Sequence, residues 1–214
     1  MSSPHPNDAD ALMRLCPVIP VLTIERLEDA APLALALVAG GLRVLEVTLR
    51  TPVAIEAIGL MAAAAPEALV GAGTVLSAAD YDRAAAAGAR FIVSPGLTEP
   101  LIAAARAAPL PLLPGVATAT EVMRGLDAGL NRFKFFPAET SGGPAALKAL
   151  FGPFGDCRFC PTGGIGAATA GAYLALPNVL CVGGAWVAPA SAVKAGDWGQ
   201  ITALARAAAG LRQE

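Results

Sequence analysis

The sequence of 214 residues predicts an α/β protein, a (β/α)8 TIM barrel with a short N-terminal helix, running as one domain over residues 1–214. Three observations predict it. Short apolar runs rich in Val, Ile, Leu and Phe alternate with helix-patterned segments eight times. The chain is 55% hydrophobic and only 15% charged, as a parallel sheet covered on both faces requires. The first strand continues into Pro20-Val21-Leu22-Thr23, without the glycine-rich fingerprint that would mark a doubly wound open sheet, the main competing architecture.

In order, a short helix is expected over residues 9–15, a first strand over 16–22, and a helix over 25–39 stopped by Gly40-Gly41. A second strand over 43–49 leads to a helix opened by Pro52, where a missing N–H costs nothing. The third strand (68–73) is followed by a helix with Ser77 as N-cap and Gly88 as its stop. A fourth strand (90–94) and a helix (98–107) precede a fifth strand (110–114) and a helix (118–128). A sixth strand (132–136), a helix (144–151), a seventh strand (157–161) and a helix near 167–176 follow. The eighth strand (179–182) and a helix over 198–210 complete the count. The alanine runs read as helix filler.

Composition excludes several classes of function. The net charge is -2 with no basic block, so no nucleic-acid partner is expected. Residues 161–193 carry no charge, but Gly163-Gly164, Pro177-Asn178, Gly183-Gly184 and Pro189 cut that run into pieces too short to span a bilayer, so no membrane partner is expected. The start lacks a basic segment followed by an apolar one, so no signal peptide is expected. Cys157-Arg158-Phe159-Cys160 has redox or metal spacing, yet it lies in a strand-like segment and the one histidine is His5. These thiols read as structural, in a reduced cytoplasmic setting.

The most informative stretch is Asn131-Arg132-Phe133-Lys134-Phe135-Phe136-Pro137-Ala138-Glu139, a lysine inside a buried aromatic strand. An unpaired ammonium in an apolar interior is costly, and a desolvated lysine is the nucleophile of Schiff-base chemistry. The plainer alternative is a lysine reaching solvent or pairing with a carboxylate such as Glu139. Active residues of a barrel sit at the C-terminal strand ends. Glu46, Thr48 and Arg50 follow at period two on the second strand, which would point a carboxylate and a guanidinium into the mouth; a simple salt bridge is the alternative. The third strand ends Gly71-Ala72-Gly73-Thr74, where glycines let a ligand approach, although a loop threonine is more often a cap or turn residue. Ser94-Pro95-Gly96 ends the fourth strand as a tight turn. Thr162-Gly163-Gly164-Ile165 and Gly183-Gly184-Ala185-Trp186 follow the seventh and eighth strands, where barrels bind phosphate on backbone N–H groups. No Walker or dinucleotide motif is present, which points to the phosphate of a small sugar or acid.

Together, the blocks Glu46–Thr51, Gly71–Leu76, Ser94–Leu97, Phe133–Glu139 and Cys160–Ile165 resemble the KDPG and 4-hydroxy-2-oxoglutarate aldolases over about residues 16–189. The resemblance implies a class I aldolase needing no metal or other cofactor. It would cleave 2-dehydro-3-deoxy-6-phosphogluconate to pyruvate and glyceraldehyde 3-phosphate in the Entner–Doudoroff pathway, with cleavage of 4-hydroxy-2-oxoglutarate to pyruvate and glyoxylate as a side activity. It further implies a cytoplasmic homotrimer whose partner is a small phosphosugar acid. By position, Lys134 would form the Schiff base and Glu46 would be the general acid/base. Arg50, Thr74 and Thr162 would hold the pyruvyl carboxylate, and Pro95 and Phe136 would shape the wall. Gly163, Gly164, Gly184 and Ala185 would take the phosphate, with Ala185 standing where the family commonly has serine.

Two other classes compete. A metal-dependent lyase would need histidines and carboxylates converging on one site, which a single His does not supply. A phosphosugar-binding protein would keep the Gly-Gly loops without needing Lys134 and Glu46. The galactonate-type aldolase is a nearer rival, and the Glu46-Val47-Thr48-Leu49-Arg50 block favours the gluconate type.

Overall fold

The computed structural model describes residues 9–108 and 110–211, so His5 and the opening segment lie outside the described residues. Among the described residues the strands are β1 (Val18–Leu22), β2 (Val44–Thr48), β3 (Leu69–Gly73), β4 (Ile92–Val93), β5 (Leu112–Leu113), β6 (Gly115–Val116), β7 (Arg132–Phe135), β8 (Arg158–Pro161) and β9 (Val182–Gly184). The helices are α1 (Ala9–Arg14), α2 (Ala30–Ala39), α3 (Ala54–Ala64), α4 (Ala78–Ala86), α5 (Glu99–Ala107), α6 (Ala119–Asp127), α7 (Gly143–Phe151), α8 (Ala170–Leu174), α9 (Ala190–Ala195) and α10 (Trp198–Ala209).

All strand pairs are parallel. They form one arc in the order β5-β4-β3-β2-β1-β9 and a second in the order β6-β7-β8. The arcs meet twice. β5 and β6 are one stave interrupted at Pro114, and the parallel bridges Phe159↔Val179 and Thr162↔Gly183 join β8 to the β9 run. The curled sheet therefore closes into the predicted barrel. Val18, Ile19, Val44, Leu45, Val47, Val70, Phe133, Phe135 and Phe159 are fully buried, as staves covered by helices outside and by one another inside require. At the N-terminal end, Asp10 of α1 pairs with Arg132 at the start of β7 (2.5 Å), which seats the first helix under the barrel.

Helix starts follow local chemistry. Ser77 and Thr118 each form a capping box, with Asp80 and Glu121 respectively, and such caps are worth about 1 kcal/mol each.

Several expected boundaries move. The helix expected over 25–39 begins as a 3-10 turn, Leu27–Asp29, because Arg26 grips Asp29 with two bonds of 2.8 Å; α2 proper starts at Ala30, which puts Pro32 in its first turn. The fifth strand runs past its expected end to Val116, and Pro114, which has no N–H, splits its ladder. The eighth strand lies later than expected, so Gly183 and Gly184 belong to β9 itself, with Val179 making only a bridge. Helix α8 is shorter than expected, and α9 was not anticipated from the sequence.

Candidate active site

The site is built from side chains that parallel pairing places on one side of the wall. Val21 pairs with Glu46, Glu46 with Gly71, Thr48 with Gly73, and Lys134 with Cys160. Residues paired in this way face the same side.

Lys134 and Glu46 meet there. Lys134 Nζ donates to Glu46 Oε1 at 3.1 Å, with side chains only 7% and 4% exposed. The ammonium also lies 5.2 Å from the centre of the Phe136 ring, a cation–π contact from the next residue but one. The alternative partner, Glu139, is engaged elsewhere: Tyr173 Oη donates to Glu139 Oε1 at 2.9 Å. Glu46 is the partner instead, and the reason is its neighbour. A Cβ at Gly73 would run into the Glu46 carboxylate, so glycine at the end of β3 makes the space the carboxylate occupies. Gly71 similarly admits the Phe91 ring. The sequence had suggested that these glycines admit ligand; they admit the protein's own side chains.

Arg50 lies beyond the end of β2, in a turn closed by Arg50 N–H donating to the Thr48 carbonyl at 2.8 Å. The period-two alignment therefore stops at Thr48. The guanidinium still reaches the rim, where Arg50 Nε donates to Thr74 Oγ1 at 3.1 Å. Thr74 has φ of 57°, a left-handed conformation that a β-branched residue adopts only when its surroundings impose it. Across the barrel, Thr162 is buried, and its hydroxyl, which donates to the Cys160 carbonyl at 3.4 Å, has room because residue 183 is glycine. Ser94 Oγ donates to the Gly96 carbonyl at 2.7 Å and fixes the turn carrying Pro95. A Cβ at Gly115 would strike the Pro95 carbonyl, so β6 sits directly against that turn.

Gly163 and Gly164 have φ of 105° and 81°, which only glycine adopts freely, and the turn they make is tied down by Ala138 N–H to Thr162 O (2.8 Å) and Glu139 N–H to Gly163 O (3.1 Å). The backbone N–H groups of Gly163, Gly164 and Ala185 donate to no acceptor among the described residues, which leaves them for an anion. Gly184 is buried in the β9 ladder opposite Pro20, and a side chain there would meet the Trp186 ring. Beside Ala185 lies a cavity of about 530 Å3 whose lining includes Val21, Thr23, Pro189 and Lys194.

The C-x-x-C spacing falls just before and within β8. Cys157 and Cys160 are buried free thiols, and burial pushes the Cys157 thiol up, away from the thiolate. Among the described residues no three His, Cys, Asp or Glu side chains are placed to hold a metal, and no helix is long and apolar enough to cross a membrane.

Comparison with known proteins agrees with this chemistry. Residues 9–204 match the KDPG and KHG aldolase family. The 2-dehydro-3-deoxy-phosphogluconate aldolase of Dickeya dadantii (strain 3937) is 56% identical over 202 residues, 94% of this chain and 95% of that protein. A solved structure of KDPG aldolase from Legionella pneumophila, with pyruvate captured at low pH as a covalent carbinolamine intermediate, is 51% identical with a TM-score of 0.92 and covers 96% of this chain and 98% of that one. The 2-keto-3-deoxy-6-phosphogluconate aldolase of Zymomonas mobilis ZM4, solved with 3-phosphoglycerate, is 56% identical with a TM-score of 0.92, covering 98% of each chain. Likeness over nearly the full length, together with a lysine and a carboxylate meeting inside the barrel, means that this chain belongs to the KDPG and KHG aldolase family.

Proposed function

We propose that this chain is a class I aldehyde-lyase that cleaves 2-dehydro-3-deoxy-6-phosphogluconate to pyruvate and glyceraldehyde 3-phosphate. The observation that carries the proposal is the buried Lys134–Glu46 contact of 3.1 Å. Lys134 gives a proton to Glu46 and attacks the C2 carbonyl, forming a carbinolamine. Protonation of its hydroxyl, with Glu46 as acid through a water, expels water and leaves a protonated imine. Glu46 then takes the C4 hydroxyl proton, the C3–C4 pair flows into the imine, and the aldehyde departs. The enamine is reprotonated at C3, and hydrolysis frees pyruvate and Lys134.

The other residues receive roles that follow the charge on the substrate. Arg50, Thr74 and Thr162 hold the pyruvyl carboxylate, while Pro95 and Phe136 bound the reacting carbons. The N–H groups of Gly163, Gly164 and Ala185 take the phosphate, and Gly184, held in the β9 ladder, sets the strand end that presents Ala185. Alanine at 185 supplies no hydroxyl, so that site rests on backbone donors, weakened by about 1–3 kcal/mol relative to one with a further charged hydrogen bond. The same imine chemistry applied to 4-hydroxy-2-oxoglutarate gives pyruvate and glyoxylate as a side activity. We further propose a single barrel domain, a cytoplasmic location, a homotrimer, and a place in the Entner–Doudoroff pathway.

Borohydride reduction in the presence of pyruvate, followed by peptide mass mapping, tests the mechanism. A reduced pyruvyl adduct on Lys134, absent in Lys134→Ala, is expected. A folded protein that binds phosphosugar acid but gives no adduct would sink the aldolase proposal and leave a binding protein in its place.

A further inference from the structure

One hydrogen-bond chain at the barrel mouth has no part in the mechanism above. Thr48 is fully buried, and its hydroxyl donates to the Leu22 carbonyl at 2.9 Å. Its oxygen also lies 3.1 Å from Thr23 Oγ1. A threonine hydroxyl has one proton, and that of Thr48 is committed to Leu22. The second bond must therefore be donated by Thr23. With its own proton turned inward, Thr23 presents only lone pairs to whatever lies in the mouth.

The backbone around it is held as well. Thr48 grips the carbonyl before Thr23, and Thr51 Oγ1 donates to the Ile24 carbonyl after it at 2.7 Å. Thr23 is exposed and borders the cavity of about 530 Å3 that also reaches Ala185. By register it stands two residues beyond Val21, the partner of Glu46, and so one layer nearer the mouth than the catalytic carboxylate. A substrate joined to Lys134 at C2, with C4 at Glu46 and its phosphate at the Gly163-Gly164 and Gly184-Ala185 turns, has C5 at this layer.

We infer that Thr23, oriented by Thr48, is a specificity-determining residue that accepts a hydrogen bond from the C5 hydroxyl of a six-carbon phosphosugar acid and disfavours a carboxylate there. The inference rests on the function proposed above. The two candidate substrates are identical through C4. At C5 one carries a hydroxyl, which can donate, and the other a carboxylate, which can only accept. An oxygen that only accepts satisfies the first and repels the second, so discrimination comes from a mismatch as much as from an attraction.

The test measures kcat/KM for both substrates in the full chain. Thr23→Val keeps the shape and removes the oxygen; kcat/KM for the phosphogluconate substrate is expected to fall about tenfold, the value of one hydrogen bond, while that for 4-hydroxy-2-oxoglutarate holds or rises. Thr23→Ser retains the wild-type ratio. Thr48→Val frees the Thr23 proton to turn outward, and the ratio narrows although the Thr23 hydroxyl is kept. Trapping of pyruvate on Lys134 stays at the wild-type level in Thr23→Val, because pyruvate has no C5. A ratio within about twofold of wild type in Thr23→Val, with both substrates falling together or neither changing, overturns the inference, as does loss of the pyruvate adduct in that variant. Absence of the adduct in the wild-type protein overturns the function itself, and the role of Thr23 with it.

Discussion

Gly73→Ala adds one methyl group and is expected to disable the enzyme without replacing Lys134 or Glu46, the two residues proposed to react. A Cβ at residue 73 would lie 2.6 Å from Glu46 Cγ and 2.7 Å from Cδ, and nearer still to Oε1, whereas real Cβ contacts essentially never fall under 3.0 Å. Gly73 closes β3 without a positive φ, so alanine carries no backbone penalty there and the steric effect stands alone. The atom most strongly displaced, Oε1, is the one bonded to Lys134. If Glu46 swings away, the proton transfers lose their carboxylate, and such catalysis contributes about 10²–10⁴-fold. We expect kcat to fall by at least about 100-fold, with substrate affinity nearly unchanged. A buried ammonium left without its partner also destabilises the fold; a loss of about 3 kcal/mol would lower Tm by roughly 6–12 °C in a chain of this size. Pyruvate release gives kcat and thermal denaturation gives Tm, with Gly171→Ala, where nothing lies within 4 Å of the new methyl, as control. Activity in Gly73→Ala within threefold of wild type would refute the idea that the glycine places Glu46.

Arg50→Ala removes the guanidinium at the rim beside Thr74, and KM for the pyruvyl substrate is expected to rise about 10–100-fold with a much smaller change in kcat; steady-state kinetics checks this. Gly115→Ala drives a methyl into the Pro95 carbonyl, a backbone group that cannot rotate aside, at a cost of about 1–3 kcal/mol, read as a Tm lower by about 2–4 °C per kcal/mol. Burial, and then the bond to Glu139, push the Tyr173 hydroxyl well above its ordinary value of 10.0, so above that pH the folded chain keeps a proton the unfolded chain releases. Stability is then full below about pH 10 and declines as pH rises, and Tyr173→Phe should flatten that decline by up to about 1.4 kcal/mol per pH unit in denaturant titrations at several pH values.

The staves were legible because most are short apolar runs between turn residues, and the helix starts because Ser77 and Thr118 carry their own caps. Boundaries moved where a tertiary or side-chain contact overrode local pattern. The Arg26–Asp29 clasp tightens a helix start into a 3-10 turn, and the pairing of Gly183 and Gly184 with Ile19 and Pro20 draws two glycines into a strand that propensity alone would end before them. The missed helix α9, Ala190–Ala195, carries no start signal: its N-cap position is Pro189, which makes no side-chain cap bond, and its first turn holds no acidic residue.

Site legibility divides along a similar line. Lys134 stood out because a charge in an aromatic strand must be solvated, paired or stripped of its proton, and its two candidate partners, Glu46 and Glu139, are both carboxylates that sequence distance cannot rank. The choice between them is made by small residues on other strands. Gly73 makes space for Glu46 beside the lysine, while Gly164 makes space for Glu139, whose Cγ lies 2.6 Å from where a side chain at 164 would begin, and Tyr173 then holds that second carboxylate. A glycine in a strand advertises a space but not its occupant. The barrel thus sorts two similar carboxylates into one that meets Lys134 and one that Tyr173 holds, by what is absent on the neighbouring stave, and that information exists only once the strands are in register.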